Sequence, residues 1–164
     1  ISIGDEVMVL PSERRSRVRD IQLGEISMAS AGAEQSVTLL LDDEIDISRG
    51  DMIVKPHQLV LVTRRVEAML CWFSETSLVP RGKYVLRHTT REARAMIEAI
   101  EYRVDVNSLE HHPATGLAMN DIAKISLRLA QPICADSYSS NRATGNFILV
   151  DETTNNTVAA GMIL

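Results

Sequence analysis

Short runs of aliphatic and β-branched residues, each stopped by a turn former within a few positions, recur along the chain and leave little room for anything but antiparallel sheet. Glu6-Val7-Met8-Val9-Leu10 stops at Pro11, Ser12-Glu13-Arg14-Arg15 makes a polar turn, and residues 17–23 return as the second arm of a hairpin. Residues 24–36, with Gly and small side chains, read as a connection to the strand Val37-Thr38-Leu39-Leu40-Leu41, which ends in the acidic turn Asp42-Asp43-Glu44. Ser48-Arg49-Gly50-Asp51 is the next turn, and it feeds Met52-Ile53-Val54, closed by Pro56 because proline cannot donate to a ladder. A second series follows at residues 66–73, 83–88, 102–106, 123–129, 147–150 and 158–163. This rhythm predicts an all-β fold of closed or sandwiched antiparallel sheets. It divides into two units, residues 1–63 and 64–164.

One segment disputes the pattern. Residues 91–101 are built from strong helix formers, with apolar side chains at 93, 96, 97 and 100, so propensity alone predicts a helix. Alternation from Met96 through Val104 fits a strand equally well. Residues 117–122 have the composition of a short helical turn.

With 164 residues, 45% of them hydrophobic, the chain buries a core without needing a metal or a disulfide. Cys71 and Cys134 are distant and neither sits in a C-x-x-C pair, which reads as two core thiols in a reducing compartment. No run is long enough for a membrane span and no leader pattern opens the chain, so a cytoplasmic location and no membrane partner are expected. Ile1 enters the strand pattern with no lead-in, as a piece cut from something longer would. The net charge of −5 resides in the first unit, where 6 Lys/Arg face 11 Asp/Glu, against 11 and 11 in the second. An acidic chain poor in Trp and Tyr is ill suited to tracking a phosphate backbone, and no nucleic-acid partner is expected.

The chain carries no recognisable catalytic constellation. Arg14, Arg15, Arg17 and Arg19 straddle a hairpin turn, where long cations stand in solvent and blunt an edge. Asp42, Asp43, Glu44 and Asp46 lack the glycine and spacing of a calcium loop. Arg49-Gly50-Asp51 spells an adhesion tripeptide but is better explained as a tight turn whose glycine permits positive φ. His111 and His112 are adjacent, so their rings do not share a metal from one face. There is no G-x-S-x-G, no reactive cysteine context and no phosphate loop. Catalytic, cofactor-binding and metal-binding residues are therefore expected to be absent.

Three blocks of sequence resemble a known family. The first is Gly4-Asp5-Glu6-Val7-Met8-Val9-Leu10-Pro11-Ser12 with Arg14-Arg15-Ser16-Arg17-Val18, then Ala33-Glu34-Gln35-Ser36-Val37-Thr38-Leu39 and Asp43-Glu44-Ile45-Asp46-Ile47-Ser48-Arg49-Gly50-Asp51-Met52. The second is Tyr102-Arg103-Val104-Asp105-Val106-Asn107-Ser108-Leu109-Glu110-His111. The third, and the most specific, is Asn141-Arg142-Ala143-Thr144-Gly145 with the later Thr154-Asn155-Asn156-Thr157-Val158. Together they resemble the second and third domains of the GTPase-type large subunit of bacterial sulfate adenylyltransferase (ATP sulfurylase), domains themselves similar to those of elongation factor Tu.

The resemblance implies two translation-factor-like antiparallel β-barrels, the first incomplete at its N-terminus, and a strand rather than a helix across residues 95–106. It implies that a GTP-binding domain with its magnesium precedes residue 1, and that in some members an adenylylsulfate kinase domain follows. It further implies partnership with that domain and with the catalytic small subunit, which transfers the adenylyl group of ATP to sulfate while GTP hydrolysis drives the step. On this reading the present chain is non-catalytic. Arg49 and Gly50, together with Asn141, Arg142, Thr144 and Gly145, are its candidate interface or structural-turn residues. Arg142 either pins loops of its own barrel by charge-assisted bonds to carbonyls or faces a partner. The rival reading is the barrel pair of a translation-type GTPase that binds aminoacyl-tRNA, against which the acidic first unit speaks.

Overall fold

The computed structural model describes residues 1–58, 60–78 and 80–164, and within them every regular element is a β-strand. The chain divides into two compact units, Ile1–Leu59 and Val60–Leu164.

The first unit is a five-stranded sheet made of β1 (Glu6–Leu10), β2 (Arg14–Leu23), β3 (Ile26–Ser27), β4 (Thr38–Leu41) and β5 (Met52–Val54). β1 lies between β2 and β5, and β2 also carries β3 and β4. A register shift between Val18 and Asp20 leaves Arg19 as an extra residue on β2. That one residue changes the phase of the strand, so the inward positions are Ser16 and Val18 before it and Ile21 after it. Val7, Val18, Ile21 and Ala31 form the small core of this unit, backed by Met28, Leu39, Leu41 and Ile53. Residues 24–36, expected to be a plain connection, are not wholly irregular: Ile26 and Ser27 pair with Leu23 and Gln22.

The second unit contains β6 (Leu61–Trp72), β7 (Lys83–His88), β8 (Arg91–Val104), β9 (His111–His112), β10 (Ile122–Ala135), β11 (Asn146–Val150) and β12 (Thr157–Ile163). The strand order is β10-β6-β12-β11-β7-β8, and β8 pairs back onto β10, so six antiparallel strands close into a barrel, with β9 attached to the end of β8. Inward side chains fill the interior: Leu70, Trp72, Leu86, Ile97, Ile125, Leu127, Phe147 and Leu149 are each at most 2% exposed. Gly161 faces Phe147 there, and a Cβ at that position would lie 2.2 Å from the phenyl Cζ.

The disputed segment is strand from Arg91 onward. β8 is bonded on both sides, to β7 from Lys83 to His88 and to β10 from Ile122 to Leu129, and it buries Ala93, Ala95 and Ile97. Two ladders and an apolar face outweigh a helix preference of a few tenths of a kcal/mol per residue. The helix-like irregularity of the sequence has a structural counterpart. Register shifts leave Glu98 and Glu101 as extra residues on β8, two bulges that let the apolar positions change phase along the strand. Residues 117–122 form no helix but a turn in which the Asp121 N–H donates to the Ala118 carbonyl.

Candidate functional site

The loop joining β10 to β11 holds four of the six candidate residues. It begins where the Asp136 carboxylate accepts the Thr144 hydroxyl at 2.5 Å and the Asn141 amide at 3.3 Å. The Thr144 carbonyl accepts the Asp136 N–H at 3.3 Å and lies 2.7 Å from Nε2 of His88, a histidine only 1% exposed at the end of β7. The Asn141 side-chain oxygen accepts the Ala143 N–H, and the Arg142 carbonyl accepts the Asn146 side-chain amide. Gly145 is buried where the loop recrosses itself, and a Cβ there would sit 2.4 Å from the Tyr138 Cα and 2.7 Å from the Asn141 carbonyl oxygen. Only glycine fits, because the obstructing atoms are backbone. Hydrogen bonds from the Tyr138 N–H to the Ile163 carbonyl and from the Ile163 N–H to the Gly145 carbonyl fasten the loop to β12.

Arg142 is exposed at the tip of this scaffold. Its guanidinium makes no hydrogen bond among the described residues and lies 5.7 Å from the centre of the Tyr138 ring, a cation–π distance. Of the two roles open to Arg142, no internal pinning bond from its guanidinium is seen among the described residues, and the loop is fastened by Thr144, Asp136 and the backbone at Gly145. His88 is the participant that sequence reasoning missed; a lone histidine ending a strand gives no signal of its carbonyl partner 56 residues away.

Arg49 and Gly50 belong to the first unit. They form the turn into β5, in which the Asp51 N–H donates to the Ser48 carbonyl, the Ser48 N–H donates to the Asp51 carboxylate, and Gly50 has φ of 92°. The turn therefore requires glycine for its backbone, while the Arg49 side chain is exposed. Elsewhere in this unit Asp43, one of the acidic-turn residues, is bonded to Ser16 through both its carboxylate and its N–H. Arg15 pairs with Glu6 at 3.6 Å, and Arg17 donates to the Gly4 carbonyl.

A further feature emerges from the barrel's registers. Outward positions on four adjoining strands are apolar: Cys71 stands opposite Ile122 on one side and Ala160 on the other, Met69 opposite Met162, and Ile148 opposite Ala160. Met162 is 42% exposed and the others are half-buried. The stripe is edged by an ion pair between Lys124 and Glu67 at 2.8 Å. Two methionines among aliphatic neighbours, with a polar rim, have the make-up of a protein-binding face. Among the described residues no His, Cys, Asp and Glu come together with the geometry of a metal site.

Residues 65–164 match the family model described as the GTP-eEF1A C-terminal domain-like domain. The chain belongs to this family. Membership agrees with the closed barrel, and the curated relatives narrow the resemblance. The sulfate adenylyltransferase subunit 1 of Saccharophagus degradans is 44% identical over 164 residues, covering all of this chain and 35% of its own length. The bifunctional enzyme CysN/CysC of Rhodopirellula baltica is 47% identical over 161 residues, 98% of this chain and 25% of its own length. The chain thus spans 35% or less of the length of these relatives. The resemblance read from residues 141–145 and 154–158 and from the two earlier blocks is borne out by these matches along the whole chain. Among solved structures, sup35 complexed with GDP superposes with a TM-score of 0.90 over the whole chain and 41% of that structure's length, at 20% identity, a likeness of fold.

Proposed function

We propose that this chain is the barrel region of the large, GTP-binding subunit of a cytoplasmic sulfate adenylyltransferase. The observation that carries the reading is identity of 44–47% sustained over nearly the full 164 residues to proteins of that name. In this reading GTP and magnesium bind in a separate nucleotide domain of the parent, and the small subunit makes adenylylsulfate and pyrophosphate from ATP and sulfate. The barrels hold no catalytic group. Their contribution is mechanical: a closed barrel moves as one body, so a change at the nucleotide becomes a rearrangement of protein interfaces rather than a deformation of the sheet.

Two parts of the second unit suit that role. The apolar stripe around Met69 and Met162 gives a partner area to desolvate, and the fastened loop presents Arg142 as a charged contact with little freedom left to lose. The partners in this proposal are the parent's own GTP-binding domain and the small subunit. A chimera tests it: this chain replaces the matching stretch of the Saccharophagus degradans subunit, and GTP-dependent adenylylsulfate formation is measured with that organism's small subunit. Retained activity supports the proposal. A well-folded chimera that binds aminoacyl-tRNA at low salt but gives no GTP-stimulated activity would sink it in favour of the translation-type reading.

A further inference from the structure

Aromatic residues are scarce in this chain, with two Phe, one Trp and three Tyr, and half of them line one cavity. Trp72, Phe73 and Tyr84 converge at one end of the barrel on a space of about 590 Å³, together with Glu75 and Asp151. Among the described residues no Lys, Arg or His lines it. The walls are ordered by their own bonds. The Trp72 indole N–H donates to the Thr76 carbonyl at 2.9 Å, and Trp72 and Tyr84 meet edge to face with ring centres 5.6 Å apart. Tyr84 lies over Gly82, whose missing side chain leaves it room, since a Cβ there would come within 2.8 Å of the phenol oxygen.

The carboxylates are arranged unequally. Asp151 takes three bonds on Oδ1, from the N–H groups of Thr153 and Thr154 and from the Thr154 hydroxyl, while its Oδ2 accepts none among the described residues. Glu75 is exposed at the rim. Trp72 is only 2% exposed, so the ring surface open to a ligand is that of Phe73, 43% exposed, and of half-buried Tyr84. Beside it stand an open carboxylate oxygen and a second negative charge, with no cation among the described lining residues. A hydrophobic ligand would leave both charges uncompensated and an anion would be repelled. A flat, delocalised cation satisfies both kinds of wall, stacking on rings and bonding carboxylate oxygens.

We propose that this end of the barrel is a receptor for a guanidinium group. The inference rests on the cavity alone and stands or falls separately from the sulfate adenylyltransferase reading. Two sources supply such a group, an arginine side chain of a protein and a free small guanidino compound.

Trp72, the one tryptophan, makes the site directly observable. The 164-residue chain is titrated at constant ionic strength with N-acetylarginine methylamide, with its uncharged isostere N-acetylcitrulline methylamide, and with the peptide Gly-Gly-Arg-Gly-Gly, following Trp72 emission. The expected result is a saturable change with both arginine compounds and none with citrulline, weakened about threefold by Glu75→Gln and by Phe73→Ala. Tighter binding of the peptide assigns the site to a protein segment, and tighter binding of the amide to a small molecule. Absence of saturation with both arginine compounds, an equal response to citrulline, or undiminished affinity in both variants overturns the proposal. Far-UV circular dichroism of each variant shows that the barrel is intact.

Discussion

Nε2 of His88 lies 2.7 Å from the Thr144 carbonyl oxygen, joining the end of β7 to a loop 56 residues later in the chain. A carbonyl only accepts, so the ring nitrogen must be the donor. Replacing His88 with Ala removes the shorter of the two bonds to this part-buried carbonyl, leaving only the Asp136 N–H, and is expected to lower unfolding free energy by about 1–2 kcal/mol. Urea unfolding at neutral pH measures this, and a change below about 0.5 kcal/mol would mean that the bond is dispensable.

Gly145→Ala and Gly161→Ala are expected to be destabilising for different reasons. At Gly161 the obstacle is the Phe147 ring, at Gly145 it is backbone of Tyr138 and Asn141. Each overpacking costs about 1–3 kcal/mol, but only one has a side-chain remedy. Adding Phe147→Leu restores part of the stability lost in Gly161→Ala, whereas Tyr138→Ala does nothing for Gly145→Ala. Thermal melts of the four variants test the contrast, and rescue at both sites would refute it.

Asp105 and Asp151 set an acid limit. Backbone N–H bonds from Ser108 and then Asn107 hold the Asp105 carboxyl below its ordinary value, and the Thr154 N–H, the Thr154 hydroxyl and the Thr153 N–H do the same for Asp151. A carboxyl whose folded pKa is depressed binds its proton more weakly than in the unfolded chain. Its contribution is therefore complete above the unfolded value near 3.8 and is lost as pH falls below it through the folded pKa. Asp105→Asn and Asp151→Asn should melt below the wild type at neutral pH, with the gap closing in more acid solution. A gap independent of pH would contradict the linkage.

A peptide spanning residues 91–104, excised from its ladders, should reveal the preference that the barrel overrides. In a helix-promoting alcohol its circular dichroism is expected to be helical, although the same residues form β8 in the chain. A β-type spectrum would show that strand preference is local after all.

Met162→Glu places a charge in the apolar stripe at a position already 42% exposed. Stability should change by no more than about 0.5 kcal/mol. The activity of the chimera described above should fall by about tenfold or more if the stripe is buried against a partner. Undiminished activity would remove the stripe from the interface.

Much of the barrel was legible because inward and outward residues alternate along most of β6 and the second half of β7, and a period of two cannot be mistaken for another element. Legibility failed where the phase breaks. Arg19, Glu98, Glu101 and Val158 sit at bulges, and no local composition announces which residue a ladder will skip. β10 runs past residue 129 through Pro132 to Ala135, but the register with β6 breaks between Arg128 and Ile133, so proline falls where no ladder bond is required of it. The two-residue strands at Ile26 and His111 exist only because a partner strand is nearby. At the candidate loop, Gly145 and Thr144 could be picked from sequence as turn residues. The part taken by His88 could not, because it depends on β7 ending beside that loop.

The pairing of β6 with β12 joins residues 68–72 to residues 159–163, almost the whole length of the second unit apart. A ribosome delivers these strands in order, so β6 emerges long before the neighbour that covers one of its edges. Until residue 163 has left the exit tunnel the ring has two bare rims, each able to accept a strand from another nascent chain. The interval between translating Leu70 and Ile163 is thus the period of greatest exposure to misassembly, and slowing translation across it should raise aggregation more than slowing it anywhere after.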